Sequence, residues 1–185
     1  MSGLSALAFP PARTALLSGP AGLGVELRPA QDGDLPFLRT LYGELRTAEL
    51  AAVPWPEAAR QAFLDNQFAL QHRHYTTHYL PADFLVIEHS GHPIGRLYVH
   101  RGEREAVLVD IALRPAWRGR GIGRRLIGLV QAATRQAGLA ALALHVELGN
   151  AAAQRLYERL GFVAGEVAGH HRAMRWDVAR DRAVS

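Results

Sequence analysis

Three glycines alternate with larger residues in the stretch from Arg118 to Gly123, which reads Arg-Gly-Arg-Gly-Ile-Gly. The apolar run at 106–113 before it predicts a strand, and the pattern at 124–136 after it predicts a helix. Glycine in such a turn lets backbone N–H groups approach a ligand closely, because no Cβ stands in the way. The start of a helix also carries partial positive charge. The combination predicts a binding site for a phosphate group.

Two common phosphate-binding signatures do not fit this loop. A dinucleotide fingerprint that starts at Gly119 would need its third glycine at position 124, which is arginine. A nucleoside triphosphate loop needs a lysine, and the chain contains none. Five arginines lie between Arg114 and Arg125, and arginine suits bidentate contact with phosphate. The same arginines are also compatible with a solvated helix start.

The glycine loop belongs to an alternation of strands and helices that predicts one mixed α/β domain. Three consecutive strands with short connections are expected to pair antiparallel. The domain is expected to cover 25–178, between a flexible leader at 1–24 and a short tail at 179–185. The predicted elements are strands at 25–28, 83–88, 93–101, 105–113, 141–146, 162–169 and 172–178, and helices at 35–50, 56–79, 124–136 and 150–160.

Composition removes several classes of function. The chain has 185 residues, no cysteine and a formal charge of +4. The lack of cysteine excludes disulfides, thiolate metal sites and a cysteine nucleophile within the chain. No apolar stretch is long enough for a membrane span, and the mild positive charge does not by itself indicate nucleic acid. We expect a cytoplasmic protein that binds neither membrane nor nucleic acid.

Three stretches together resemble the GNAT superfamily of acyl-CoA-dependent N-acetyltransferases. They are the strand and loop at 109–123, the segment 144–150 that ends in Asn150, and the segment 152–162 that contains Leu-Tyr-x-x-x-Gly-Phe. The order of the predicted elements also matches that family from Val25 to about Val178. The resemblance implies a mostly antiparallel twisted sheet with splayed middle strands and about four helices.

The resemblance implies acetyl-CoA or a similar thioester as the donor. Backbone amides of the glycine loop would hold the pyrophosphate, and backbone groups of Ile111 and Leu113 would pair with the pantetheine arm as an added strand. The residues implied in cofactor binding are Ile111, Ala112, Leu113, Arg118, Gly119, Arg120, Gly121, Ile122, Gly123, Arg124, Asn150 and Tyr157.

The family reaction is attack of a neutral amine on the thioester carbonyl. Tyr157 matches the family tyrosine that gives a proton to the leaving sulfur, although a core tyrosine is the alternative. His145 is one candidate base, and a histidine packed between sheet and helix is its alternative. Asp110, in an otherwise apolar strand, is the other candidate, or it pairs with an arginine. A water chain without a dedicated base also remains open.

The acceptor is expected under the two early helices, at 35–50 and 56–79. Glu49 is a candidate to hold a cationic amine, and a small amine or amino acid is favoured over a protein N-terminus. His74 and His78 share a helix face, but no acidic ligand lies among them, so no metal site is predicted. A homodimer is compatible with the sequence, and a non-catalytic acyl-CoA-binding module is the alternative function. The candidate acceptor residues are Tyr42, Glu49, Trp55, His74, His78 and Tyr79.

Overall fold

A computed structural model describes residues 7–11, 17 and 19–182. In this part of the chain, one sheet of eight strands runs in the order β1-β2-β3-β4-β5-β6-β8-β7. The strands are β1 Gly19–Gly22, β2 Val25–Pro29, β3 Ala82–His89, β4 His92–Arg101, β5 Glu105–Leu113, β6 Ala141–Glu147, β7 Val163–Ala168 and β8 His171–Asp177. The helices are α1 Leu35–Leu50, α2 Glu57–His78, α3 Ile122–Gln136, α4 Ala151–Arg159 and α5 Val178–Arg182.

The described sheet is antiparallel except at its centre. Strands β1 to β5 pair antiparallel in chain order, and β8 pairs antiparallel with both β6 and β7. Strands β5 and β6 pair in parallel, joined by the crossover helix α3. This is the mixed α/β, mostly antiparallel architecture that the sequence predicts.

The central pair of strands separates partway along its length. Parallel pairing of β5 with β6 runs from Glu105↔Ala141 to Leu108↔Leu144 and then stops. Beyond that point, 109–113 on β5 and 145–147 on β6 border an opening, which we call the β5–β6 gap. The splayed middle strands implied by the family resemblance are therefore present.

Each face of the sheet is covered by different helices. On one face, the α3 side chains Leu126, Ile127 and Val130 pack with strand residues such as Leu97 and Leu144 in the largest core cluster. The opposite face carries α1 and α2, where Leu38 and Phe68 are fully buried. Burial of apolar surface at about 25 cal/mol per Å² makes these two layers the main source of stability.

The two ends of the chain differ from the prediction. Strand β1 lies inside the segment expected to be a flexible leader, and it adds an edge strand beside β2. Leu7 is buried, and the backbone N–H of Phe9 donates to the Asp32 carboxylate at 2.8 Å. The flexible leader is thus wrong for these residues, while 1–6, 12–16 and 18 lie outside the described residues. The short helix α5 occupies part of the predicted tail.

Candidate active site

The glycine loop leads into α3 after a short 3-10 turn, Pro115–Trp117, that follows β5. Gly119 and Gly121 have φ of +72° and +79°, a left-handed conformation that glycine adopts without the strain of a Cβ. Gly123 has an ordinary helical backbone, and a Cβ there would meet only the Leu156 side chain, at 3.9 Å. The protein itself therefore leaves room for a larger residue at 123. The lack of a side chain at Gly123 keeps the space beside the backbone of this turn open.

The start of α3 presents unpaired backbone donors. The first backbone hydrogen bond of the helix runs from the N–H of Arg125 to the carbonyl of Gly121. The N–H groups of Ile122, Gly123 and Arg124 precede it and have no acceptor within the described residues. Together with the partial positive charge of a helix start, they form an anion cradle at the end of β5.

The arginine side chains of the loop differ in whether they already contact other groups of the protein. Arg118 donates from Nε to the Leu113 carbonyl at 3.0 Å, and the Arg120 guanidinium lies over Trp117, 4.8 Å from its ring centroid. Arg125 donates to the Ala21 carbonyl of β1. No contact of the Arg124 side chain is seen in the described part of the chain, and it is exposed. Arg124 is thus the loop side chain most available for a phosphate.

Tyr157 lies on α4, on the same face of the sheet as α3. It is 8% exposed, and its ring centroid is 5.6 Å from that of Phe162. Burial, with a smaller contribution from the negative charge of Asp110, raises the pKa of Tyr157 to about 12. The phenol therefore stays protonated at neutral pH, and the carboxylate of Asp110 lies close enough to act on it.

Asn150 begins α4 rather than contacting the loop. Its Oδ1 accepts a hydrogen bond from the N–H of Ala153 at 3.1 Å, which is an N-cap contact. Gln154 donates to the carbonyls of Glu147 and Leu148 and fixes the same turn. The role that the structure gives Asn150 is to orient the helix that carries Tyr157. Its predicted contact with a cofactor stays a prediction.

His145 lies on β6 at the edge of the β5–β6 gap. Its neighbours Leu144 and Val146 point into the core beneath α3, so His145 points to the opposite face of the sheet, where it is exposed. The alternative of a histidine packed between sheet and helix is therefore wrong. The imidazole is open to solvent beside the gap.

Asp110 lies across the gap from His145, on the same face of the sheet. Its Oδ2 accepts hydrogen bonds from Arg96 Nη2 at 2.7 Å and from the Tyr75 hydroxyl at 3.1 Å. Of the two readings left open by the sequence, pairing with an arginine is the one that the structure shows. Protonating Asp110 would leave the buried Arg96 guanidinium without its counter-ion, which argues against a role as base.

The candidate acceptor residues do not all face one cleft. Tyr42 is buried between α1 and α2, against Phe68, and does not line an open site. Glu49 forms an ion pair with Arg46 at 2.6 Å on the surface of α1, and its role toward an amine stays a prediction. The expectation for Tyr42 is corrected, because side-chain packing between the helices could not be read from residue types.

Four aromatic candidates remain at the surface of α2 and its ends. The rings of His74 and His78 stack with centroids 4.5 Å apart, and Tyr79 packs edge-on to His74. Trp55 packs against Phe63 at the opposite end of the helix. Within the described residues, no group of three or more His, Cys, Asp or Glu side chains has a metal-binding arrangement.

Sequence reasoning missed Arg96, Gln71 and Tyr75. Arg96 lies between Gly95 and Leu97 in a buried strand, and the residue is only 2% exposed. A charged residue in an apolar strand was the signal that singled out Asp110, and the same signal applies to Arg96 on the neighbouring strand. Opposite charges on paired strands would have predicted this ion pair.

One family model matches most of the chain. The model described as the acetyltransferase (GNAT) family covers residues 40–162. Among curated proteins, the mycothiol acetyltransferase of Streptomyces coelicolor is 36% identical over 88 residues, which are 46% of this chain and 28% of that protein. The chain thus spans only part of the length of the curated relatives that it matches.

Solved structures share the fold over most of the chain. PaiA N-acetyltransferase from Thermoplasma acidophilum, in complex with coenzyme A, has a TM-score of 0.66 and 18% identity over 84% of this chain and 99% of that chain. Spermidine N-acetyltransferase from Vibrio cholerae, in complex with CoA and spermine, has a TM-score of 0.59 and 23% identity over 84% and 96%. In the described residues, no helix has both the length and the hydropathy to cross a bilayer.

Proposed function

The chain belongs to the GNAT family of acetyltransferases, and on this basis we propose that it transfers the acetyl group of acetyl-CoA to a small primary amine. One observation carries the proposal. The β5–β6 gap opens at the end of β5 that leads, through the glycine loop, to the unpaired N–H groups at the start of α3. A linear thioester with a pyrophosphate at one end fits both features, because its arm can pair with β5 while its phosphates meet the helix start.

The proposed reaction is a direct attack that forms a C–N bond and breaks the C–S bond. The amine nitrogen adds to the thioester carbonyl and gives a tetrahedral oxyanion, for which a backbone N–H near Leu113 is the proposed donor. The amine proton passes to a base, and the departing sulfur takes a proton from an acid. Charge and protons then balance over one turnover.

His145 is the proposed base. Its imidazole is exposed on the acceptor face of the sheet, at the edge of the gap through which the thioester would be reached. Imidazole exchanges protons readily near neutral pH, which suits removal of a proton from an amine directly or through water. The ion pair between Asp110 and Arg96 makes Asp110 the weaker candidate.

Tyr157 is the proposed acid on the other face of the sheet. The raised pKa, about 12, keeps the hydroxyl proton in place until a strongly basic thiolate begins to form. No hydrogen bond to the hydroxyl is seen among the residues that the structure describes, so its proton is not committed to a protein acceptor. The base and the acid thus flank the gap from opposite faces.

The charge balance of the early helices favours an acceptor with a single amine. Glu44 pairs with Arg114, and Glu49 pairs with Arg46. Asp110 pairs with Arg96 at 2.7 Å. Because each of these carboxylates is already neutralised within the chain, a polycation gains little from them. A small monoamine or an amino acid therefore fits this region better than a polyamine.

The proposal is tested by release of free CoA thiol from acetyl-CoA in the presence of an amine panel. The panel holds aromatic and aliphatic monoamines, amino acids, spermidine and a peptide with a free N-terminus. We expect turnover with a monoamine or an amino acid. In His145→Ala we expect loss of the fall in rate toward acid pH that protonation of the base causes. Tight acetyl-CoA binding without turnover of any amine would instead favour the non-catalytic acyl-CoA-binding module.

A further inference from the structure

Four side chains from three elements meet in one polar cluster between α2 and the sheet. Arg96 Nη2 donates to Asp110 Oδ2 at 2.7 Å and to Gln71 Oε1 at 2.8 Å. Tyr75 donates from its hydroxyl to the same Asp110 oxygen at 3.1 Å. We call Arg96, Asp110, Gln71 and Tyr75 the Asp110 cluster. It ties α2 to β4 and β5 through two hydrogen bonds from the helix.

The cluster lies where the β5–β6 gap begins. Pairing between β5 and β6 ends at Leu108. The pairing of β5 with β4 is interrupted at the same place, because Tyr98 faces Asp110 and Val99 faces Leu108, which leaves Val109 as a bulge. From Asp110 onward, β5 has a strand neighbour on one side only. The bonds to the Asp110 carboxylate therefore help to set the position of the next residues, beginning with Ile111.

Fold stability alone does not explain this arrangement. The Arg96 side chain is 3% exposed and that of Asp110 is 15% exposed, and a buried ion pair is often no more stabilising than apolar residues of similar volume. Arg96 Nε is also buried without a hydrogen-bond partner within the described residues, which carries a desolvation penalty. Because apolar residues would serve stability here as well as this charged pair, a requirement for position explains the pair better.

We propose that Arg96 is a positioning residue for the acetyl transfer, which fixes the β5 edge of the gap and the α2 wall of the acceptor site in one geometry through Asp110. The inference rests on the proposed function, because it assigns the cofactor to the gap. Asp110 transmits the position to Ile111–Leu113 on the cofactor side, and Tyr75 and Gln71 transmit it to α2 on the acceptor side.

The decisive variant removes both charges, so that no buried charge is left alone. For Arg96→Met/Asp110→Leu we expect a melting temperature within a few degrees of wild type, while the acetyl-CoA Kd measured by calorimetry rises at least tenfold. A retained melting temperature with an unchanged Kd overturns the proposal. The control is Arg28→Met/Asp34→Leu/Glu88→Gln, which removes the ion pairs of the β2 residue Arg28 with Asp34 and Glu88, away from the gap, and is expected to leave the acetyl-CoA Kd unchanged.

A second variant decides the matter if the first does not fold. Tyr75→Phe/Gln71→Leu removes only the bonds from α2 and keeps the ion pair of Arg96 with Asp110. We expect an acetyl-CoA Kd within twofold of wild type and at least a fivefold rise in KM for the amine that the wild-type protein acetylates fastest. An unchanged amine KM overturns the proposal. A wild-type protein that does not bind acetyl-CoA overturns the proposed function, and this inference with it.

Discussion

The two sides of the β5–β6 gap present different groups, mainly backbone on one side and side chains on the other. The side proposed for the donor, from β5 through α3, offers unpaired backbone N–H groups and glycines at positive φ. The side proposed for the acceptor, formed by α1 and α2, offers side chains that are largely paired with one another, such as Glu49 with Arg46. We call them the donor side and the acceptor side. The donor side is open and unpaired, whereas the charges of the acceptor side are already balanced.

This difference shows how each side can select a ligand. A backbone cradle recognises a pyrophosphate that is the same in every CoA thioester, so it needs little variation. A surface of paired side chains excludes ligands that need free charge and leaves shape and apolar contact to decide among the rest. Selectivity for the acceptor would then come mainly from the lack of unpaired charged side chains on the two helices.

The largest effect is expected at Tyr157, the donor-side residue whose side chain is proposed to give a proton in the reaction. Tyr157→Phe keeps the buried ring and removes the proton of the hydroxyl, so kcat should fall by about 100-fold with the acetyl-CoA KM unchanged. Steady-state kinetics from pH 6 to 10 measure this. The buried Tyr42→Phe is the control and should retain full activity. Equal loss of kcat in both variants, or no loss in either, would contradict the role of Tyr157 as the acid.

A smaller effect is expected at Gly123, where the backbone cradle can be tested without strain. Gly123→Ala should leave the protein as stable or more stable by about 0.5–1 kcal/mol, since alanine favours a helix. The acetyl-CoA Kd should nevertheless rise about tenfold, because the methyl group enters the space reserved for the ligand. Calorimetric titration and urea unfolding measure the two quantities.

Gly128→Ala is the matched control for the cradle. Gly128 lies on the same helix, and a Cβ there would meet no atom within 4 Å. It should raise stability equally and leave the Kd for acetyl-CoA as it is. Similar Kd values for the two alanine variants would show that Gly123 serves the helix and not the ligand.

The smallest effect is expected on the acceptor side, at the buried His72. Its Nε2 donates to the Ala8 carbonyl at 3.2 Å. Burial lowers the pKa of His72 below its usual 6.5; the hydrogen bond to Ala8 opposes this shift, the charge of Arg96 adds to it and the charge of Asp32 opposes it. The unfolded chain takes up a proton near pH 6.5 and the folded chain only at lower pH. Stability is therefore full above 6.5 and declines as the pH falls below it.

Urea unfolding at pH 7.5 and 5.5 measures this dependence. Between the two pH values, the wild-type protein should lose more stability than His72→Phe, with an upper limit of about 1.4 kcal/mol set by the one pH unit between 6.5 and 5.5. A matched variant at the exposed His92, His92→Phe, should behave as wild type. The same pH dependence in His72→Phe and in wild type would assign the loss of stability to other titratable groups. It would also show that the contact of His72 with Ala8 does not make stability depend on pH.

More of the donor side than of the acceptor side could be predicted from the sequence, because the donor side depends on local features of the chain. A glycine at positive φ and a strand before a helix are local requirements, so they are visible in the order of residues 106–136. The pairing of Glu49 with Arg46, or the burial of Tyr42, depends on how two helices pack. Neither residue type nor spacing specifies that packing, and the expectation that Tyr42 lines an open site failed there.

The predicted termini failed for a related reason. Strand β1 contains two glycines and a proline and has little strand propensity of its own. It forms because β2 offers an unpaired edge and Arg125 donates to the Ala21 carbonyl. These partners are distant in sequence, so a local pattern could not indicate them.

The short parallel junction between β5 and β6 also bears on how the molecule folds and unfolds. Four residue pairs join the antiparallel part built from 19–113 to the one built from 141–177. We expect these parts to unfold as two cooperative units, because only a short parallel ladder and the helix between them join the strands. A thioester lying in the gap would add hydrogen bonds to β5 and to the start of α3 next to that ladder. Binding of the cofactor is then expected to make unfolding more cooperative, in addition to making the protein more stable.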